Sequence, residues 1–120
     1  MSMSNGIAPL RERLRSELTA AMKRRDRAAM STLRATLAAI DNAEAVEAGD
    51  VRAGAVEASA VGVGTAEVAR RALTEADIAA IVVAEIAERE SAAAEFDRSG
   101  AADRAAELRH SNDVLRAALD

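Results

Sequence analysis

The chain has 120 residues, enough for a single domain with a hydrophobic core. Half of the residues are hydrophobic but only 1% are aromatic, so the core must consist of aliphatic side chains and alanine. This composition favours closely packed helices over a β-sandwich, which is rich in β-branched and aromatic residues. The absence of cysteine excludes disulfides, thiolate nucleophiles and cysteine metal ligands.

The net charge of −4 is unevenly distributed along the chain. Residues 1–45 hold eight Lys and Arg against five Asp and Glu, whereas residues 46–120 hold eight against fifteen. The basic half could contact an anionic partner, although charges of this kind commonly do no more than solvate exposed helix faces. Because the sequence shows neither an apolar stretch of membrane-spanning length nor a basic and apolar leader, we expect a cytoplasmic protein with no membrane contact.

Two helices are predicted in the basic half. The first spans about 9–24 and begins at Pro9, which has no amide hydrogen to lose in a first turn. The second spans about 27–47, with Asp26 as its N-cap. Apolar residues spaced three or four apart give each helix one buried stripe. These are Leu10, Leu14, Leu18 and Met22 in helix 1, and Met30, Leu33, Leu37 and Ile40 in helix 2.

Residues 48–72 are predicted to be a mobile loop between helices 2 and 3. The segment combines small residues and scattered charges with four glycines, and its valines show no sustained period. Glycine loses the most conformational entropy on ordering, which disfavours a regular element here.

Two more helices are predicted at about 75–98 and 102–119. Thr74 and Asp77 match a capping box at the start of helix 3, and Gly100 is a plausible left-handed stop after it. The expected inward residues of helix 3 are Ile78, Val82, Ile86, Arg89, Ala93 and Phe96, with Ile81 and Val83 beside them, and those of helix 4 are Ala105, Leu108, Asn112, Leu115 and Leu119. The predicted fold is therefore all-α, an antiparallel four-helix bundle forming one domain.

The sequence offers no catalytic or metal-binding constellation. His110 is the single histidine, so neither a multi-histidine metal site nor a histidine-paired serine triad can form within one chain, and we expect it to be a lone surface residue. The glutamates Glu85, Glu88 and Glu95 lack the partner histidines of a carboxylate-bridged site. No cofactor and no metal are predicted.

One concentrated charge feature lies at the junction of helices 1 and 2. Lys23, Arg24, Arg25 and Arg27 can splay outward there, a geometry suited to phosphate oxygens, and Arg34 follows on helix 2. No aromatic residue is interleaved with them, so base stacking on aromatic side chains is not expected. These five residues are the predicted RNA-binding set, through shape and backbone.

The motifs of helices 1 to 4, taken in order, resemble the GatB/YqeY family. In helices 1 and 2 the matching residues are Leu14, Ala20-Ala21-Met22-Lys23, Asp26, Ser31-Thr32-Leu33-Arg34, Ala38-Ala39-Ile40 and Asn42-Ala43-Glu44. Further on they are Leu73-Thr74, Glu85-Ile86, Arg89, Ala93, Phe96, Gly100 and Asp103. The chain departs from the family pattern at Ala101, Arg104, Leu108 and Asn112. We expect it to correspond to the family's four-helix part, without the three-helix bundle that follows there.

The resemblance implies a function. In the family, this module forms the tail of the B subunit of the amidotransferase that amidates mischarged Glu-tRNA or Asp-tRNA, and the tail contacts tRNA. The implied role is a tRNA-associated accessory domain without catalysis of its own, although the family carries the label of a carbon-nitrogen ligase with glutamine as amido donor. The implied partner is tRNA or a tRNA-modifying complex.

Two other functions remain open. The chain could be a protein-interaction or self-associating module that uses its acidic helices or an uncovered apolar seam. It could also be an amide-transferring enzyme, for which no glutaminase nucleophile or nucleotide loop is visible.

Within the family pattern, Arg34 and Arg89 lie near the helix seams. We expect them to form structural ion pairs across the bundle with carboxylates such as Glu44 or Glu85. For Arg34 this structural role and RNA contact are alternatives.

Overall fold

The computed structural model describes residues 7–57 and 72–120, with side chains described for 7–49 and 72–120. Within these residues the chain forms helices and no strand: α1 (Leu10–Lys23), α2 (Arg27–Glu57), α3 (Glu75–Arg98) and α4 (Ala102–Leu119). The predicted all-α fold is confirmed.

The helices run alternately up and down. The amide of Leu10 donates to a carboxylate oxygen of Glu75 at 3.0 Å, so α1 and α3 start at the same end of the bundle. The guanidinium of Arg13 donates to the carbonyl of Ala118 at 2.8 Å, so α4 finishes at that end. Since α2 reverses direction after α1, the arrangement is an antiparallel bundle.

The core lies between the four helices and is made of aliphatic side chains and alanine. Its buried members are Leu10, Leu14, Ala21, Ala29, Leu33, Ile40, Ile78, Val82, Ile86, Leu115 and Ala118. Two predicted core residues are wrong, because Met22 is 48% exposed and Val83 is 54% exposed. Met22 lies in the last turn of α1, and Val83 lies more than a quarter turn around α3 from the buried Val82.

Local sequence signals set three of the helix ends. The side chain of Asp26 accepts from the amide of Ala29 at 3.1 Å and caps α2. Thr74 and Asp77 form the predicted capping box at α3, with both bonds at 3.0 Å. Gly100 has φ 85, and the amide of Ala101 donates to the carbonyl of Phe96 at 2.7 Å, as in a Schellman motif.

The end predicted for helix 2 at residue 47 is wrong, because α2 continues to Glu57. The glycines at positions 49 and 54 disfavour a helix by only about 1 kcal/mol each relative to alanine, and the alanines, glutamate and arginine around them are good helix formers. The first ten residues of the predicted loop are thus helical. Residues 58–71 of that loop lie outside the described residues.

At the end of the bundle where α1 meets α2, the hairpin of α3 and α4 extends further along the bundle axis than the hairpin of α1 and α2. This difference creates a step. His110 of α4 lies level with Asp26 of the α1–α2 junction, since their side chains are 2.6 Å apart. His110 follows Ala102 by two turns, or about 12 Å of helix. The first two turns of α4 therefore rise past the junction and form a wall beside it.

Candidate nucleic-acid interface

The junction between α1 and α2 consists of Arg24, Arg25 and Asp26, and it is closed by a Schellman motif. The amide of Asp26 donates to the carbonyl of Ala21 at 2.9 Å and that of Arg25 to the carbonyl of Met22 at 3.2 Å. The motif requires a left-handed residue, and Arg25 takes that position with φ 59. A non-glycine residue pays about 1–2 kcal/mol for this conformation. An exposed arginine thus stands where glycine would be more stable.

Asp26 connects the junction to α4. Besides capping α2, its carboxylate lies 2.6 Å from Nε2 of His110 and 3.3 Å from the guanidinium of Arg24. The hydrogen bond from His110, and after it the capping amide of Ala29, outweigh partial burial and hold the pKa of Asp26 below its ordinary value of 3.8. The His110 ring stays about half exposed while this bond fixes its position.

A shallow open groove of about 540 Å³ lies in the step. Its floor is the junction and the first turn of α2, and its wall is one face of α4. The lining residues are Arg25, Asp26, Arg27, Ala28, Asp103, Ala106, Glu107 and His110. The floor carries the guanidinium groups of Arg25 and Arg27 and the carboxylate of Asp26, and the wall carries two carboxylates, so the groove is mixed in charge.

The predicted RNA-binding residues are all exposed, and most are unpaired. Lys23, Arg25, Arg27 and Arg34 form no ion pair or side-chain hydrogen bond within the described part of the chain, whereas Arg24 pairs with Asp26 at 3.3 Å. Arg27 and Arg34 are seven residues apart on α2, which places them on the same face about 10 Å apart. The structure thus places the five residues at the junction and along the adjoining face of α2.

The remaining cations of residues 7–49 and 72–120 are engaged, with one exception. Arg13 donates to backbone carbonyls of Ala8 and Ala118, and Arg104 lies over the Phe96 ring, 5.0 Å from its centroid. The arginines paired with carboxylates are Arg11, Arg89, Arg98, Arg109 and Arg116. The exception is Arg15 on α1, which is exposed and has no side-chain partner among these residues. Arg104 of α4 has this ring contact but no ion pair or hydrogen bond, and apart from it all unpaired cations of the described side chains belong to α1, α2 or their junction.

Glu90 of α3 contacts two arginines and an asparagine of α4. Arg116 and Asn112 donate to its carboxylate at 3.2 and 3.4 Å, and Arg109 lies 3.6 Å away. The hydrogen bond from Arg116 is the main cause that lowers the pKa of Glu90. The hydrogen bond from Arg109 to Asp97 at 2.8 Å raises the pKa of that arginine. Most cations of α3 and α4 are therefore engaged in ion pairs within the domain.

The predicted ion pairs are partly corrected. Arg89 does pair with Glu85, at 2.8 Å, but on its own helix, while its bond across the bundle goes to the Thr32 hydroxyl of α2 at 3.2 Å. Glu44 pairs across helices with Arg11 instead, at 3.0 Å. Arg34 forms no pair with the described residues because it lies on the exposed side of α2 and not at the seam.

Three groove residues were not expected from the sequence to belong to a site, namely Asp103, Glu107 and His110. Their spacing of four and three residues places them on one face of α4, which is a signal that the sequence carries. The contact between His110 and Asp26, however, spans 84 positions, so no local pattern indicates it. Contrary to the expectation of a lone surface residue, His110 joins α4 to the junction.

Comparison of the chain with family models, with curated proteins and with solved structures finds no match. None of the helices in the described part of the chain is long and apolar enough to cross a membrane. The same residues contain no cluster of three or more histidine, aspartate or glutamate side chains placed to hold a metal ion.

Proposed function

We propose that this domain is a non-catalytic accessory module that binds RNA through the phosphate backbone, with tRNA as its RNA. The observation that supports the proposal is the segregation of its cations. Among the described side chains, the cations that form no ion pair, no hydrogen bond and no contact with a ring are Arg15, Lys23, Arg25, Arg27 and Arg34, all in the first two helices and their junction.

Unpaired cations matter because their full charge and all their N–H donors are available to a phosphate. A guanidinium already paired with a carboxylate has its charge partly neutralised and some of its N–H donors occupied, which weakens its attraction to a phosphate. An unpaired one displaces the counterions of the nucleic acid directly, which favours binding entropically. The arginines paired with carboxylates on α3 and α4 are poor candidates for this role.

The spread of the charges favours a polymer over a small anion. Arg27 and Arg34 are about 10 Å apart along α2, so with the junction before them the positive charges extend beyond the area that a single phosphate covers. A strand or a helix of RNA presents phosphates at repeated intervals along such a surface. The resemblance to the GatB/YqeY module gives tRNA as the RNA, and with it a cytoplasmic location.

The salt dependence of binding tests the proposal. If about four phosphates are neutralised, the logarithm of the association constant for bulk tRNA falls with the logarithm of salt concentration with a slope of about −3 to −4. Affinity then drops roughly 50- to 150-fold between 50 and 200 mM salt. Fluorescence anisotropy with end-labelled tRNA measures both quantities, and binding that ignores salt would sink the proposal.

The alternative, a protein-interaction or self-associating module, has one observation in its favour. Large apolar side chains are exposed on three helices, with Met22, Val46 and Val83 between 48% and 62% exposed. Single exposed apolar residues are common on monomers, and a docking surface needs a contiguous patch. A solution mass above that of one chain at micromolar concentration, together with no tRNA binding, would favour this alternative.

A further inference from the structure

The carboxylates in the groove are unexpected for a surface that binds only phosphates. Asp103 and Glu107 project from the wall of α4 and form no ion pair with the described residues. They face the floor, which carries Arg25 and Arg27 together with Asp26, whose carboxylate is engaged by His110 and Arg24. A second phosphate placed against this wall would be repelled, since like charges that approach each other lower affinity. The groove therefore suits a ligand with anionic oxygens on one side and hydrogen-bond donors on the other.

One unpaired nucleotide has this combination of groups. Its phosphate can contact the guanidinium groups of the floor, and the exocyclic amine of its base can donate to a carboxylate of the wall. The groove of about 540 Å³ is open to solvent, so a nucleotide can bind in it while it remains joined to the rest of an RNA strand. Proteins that recognise RNA sequence commonly bind unpaired bases through such edges.

His110 supplies a flat surface for the base. Its ring lines the groove, is half exposed, and is fixed by the bond to Asp26 at 2.6 Å. It is the only ring in the groove, because Phe96, the single aromatic residue of the chain, lies elsewhere under Arg104. Histidine rings and arginine guanidinium planes are both used to stack unpaired bases.

We infer that the groove recognises one unpaired nucleotide whose base carries an exocyclic amine, and so discriminates against uracil. In this arrangement Arg25 and Arg27 bind the phosphate, His110 stacks on the base, and Asp103 or Glu107 accepts a hydrogen bond from the amine. Uracil has a carbonyl where cytosine has the amine, so it would place an oxygen acceptor against a carboxylate. The inference rests on the proposed RNA binding and adds a base preference to it.

The test compares two RNAs that differ in this group, labelled decamers of cytidine and of uridine. We expect the cytidine decamer to bind at least about tenfold tighter at 50 mM salt. The double variant Asp103→Asn with Glu107→Gln should bring the ratio of the two affinities close to one, even if both RNAs then bind more tightly. Glu12→Gln with Glu88→Gln removes the same charge at exposed carboxylates outside the groove and should leave the ratio unchanged.

A second measurement does not depend on any variant. Because His110 is the only histidine, its imidazole proton signals are unambiguous in an NMR spectrum of the whole chain. Stacking of a cytosine base moves them upfield as the decamer is added. Unmoved signals at saturation would contradict the stacking.

The outcomes separate the inference from the proposed function. Equal, salt-sensitive binding of both decamers overturns the base preference and leaves RNA binding intact. A ratio that survives in the Asp103 and Glu107 double variant overturns the assignment of these carboxylates. Failure of both decamers and of tRNA to bind overturns both ideas, and a protein segment with alternating charges then becomes the candidate for the groove.

Discussion

Arg25 is the residue where the structure departs furthest from what stability alone would select. The chain uses the same Schellman motif twice, with Gly100 after α3 and with Arg25 after α1. The first needs no explanation, because glycine is the residue that the left-handed position favours. A left-handed arginine that is exposed, unpaired and in the groove is consistent with a binding role that offsets its conformational cost.

The variant Arg25→Gly separates these two effects. It should raise the free energy of unfolding by about 1 kcal/mol, since the left-handed strain is relieved, and at the same time weaken tRNA binding. Urea denaturation and anisotropy measure the two changes. A variant that is less stable than the parent would show that Arg25 contributes to folding instead.

Gly100→Ala is the matched reverse change. A Cβ at this position would meet no atom within 4 Å, so any cost comes from the backbone at φ 85 alone. We expect a loss of about 1 kcal/mol in the free energy of unfolding and no change in tRNA binding. Equal stability of variant and parent would mean that the left-handed positions cost little in this protein.

Asp26 gives the junction a dependence on pH. Its folded pKa is below its ordinary value of 3.8, so the unfolded chain takes up the proton first as the pH falls. The stabilisation from this carboxylate is therefore complete well above pH 3.8 and is lost as the pH falls below that value through the lower folded pKa.

The variant Asp26→Asn tests this, because asparagine also caps helices but carries no charge. The difference in free energy of unfolding between parent and variant should be larger at pH 5 than at pH 3, as measured by urea denaturation. A difference that stays constant for Asp26→Asn would exclude a stabilising charge there.

At the scale of helices, Arg89 joins α2 to α3. Its guanidinium donates to the Thr32 hydroxyl at 3.2 Å and to the Glu85 carboxylate at 2.8 Å, and its side chain is only 16% exposed. Thr32 is buried, so loss of its partner leaves a hydroxyl group with fewer bonds inside the bundle.

Arg89→Ala should therefore lower the free energy of unfolding by about 1–3 kcal/mol, which shifts the melting temperature by several degrees. Glu85→Gln keeps the bond to Thr32 available and should cost less. Thermal unfolding followed by circular dichroism makes the comparison. Equal melting temperatures of Arg89→Ala and the parent would show that the contact contributes nothing.

The sequence predicted the end of a helix correctly where a capping or terminating residue lies close to that end. The starts of α2 and α3 and the end of α3 rest on residues within three positions of the helix end, such as Asp26, Thr74 and Gly100, and these predictions are confirmed. The end of α2 was missed because glycine weakens a helix without terminating it. The prediction from glycine content alone therefore made the loop too long.

The predictions for the candidate site failed where contacts join distant parts of the chain. The basic cluster is contiguous in sequence, so the exposure of Lys23, Arg25 and Arg27 followed from its position between two helices. The height difference between the two hairpins sets which α4 residues face the junction, and it depends on the packing of all four helices. His110 and Glu107 were therefore not expected there.

At the scale of the whole molecule, the two halves use their charges differently. The arginines of α3 and α4 are held by Glu90, Asp97 and other carboxylates or by the Phe96 ring, whereas the first two helices keep cations without partners. A domain that is acidic in total thus keeps unpaired cations on its first two helices, where they can attract a polyanion. For the binding of tRNA, we therefore expect the position of the positive charges to matter more than their number.

The most direct test of this account compares two variants that each lose four positive charges, but at different positions. One replaces Lys23, Arg25, Arg27 and Arg34 with glutamine, and the other replaces Arg98, Arg104, Arg109 and Arg116. We expect the first to abolish salt-sensitive tRNA binding at 50 mM salt, and the second, once shown by circular dichroism to be folded, to bind within a few-fold of the parent. Equal loss in both variants would mean that only total charge matters, and undiminished binding by the first would contradict the assigned surface.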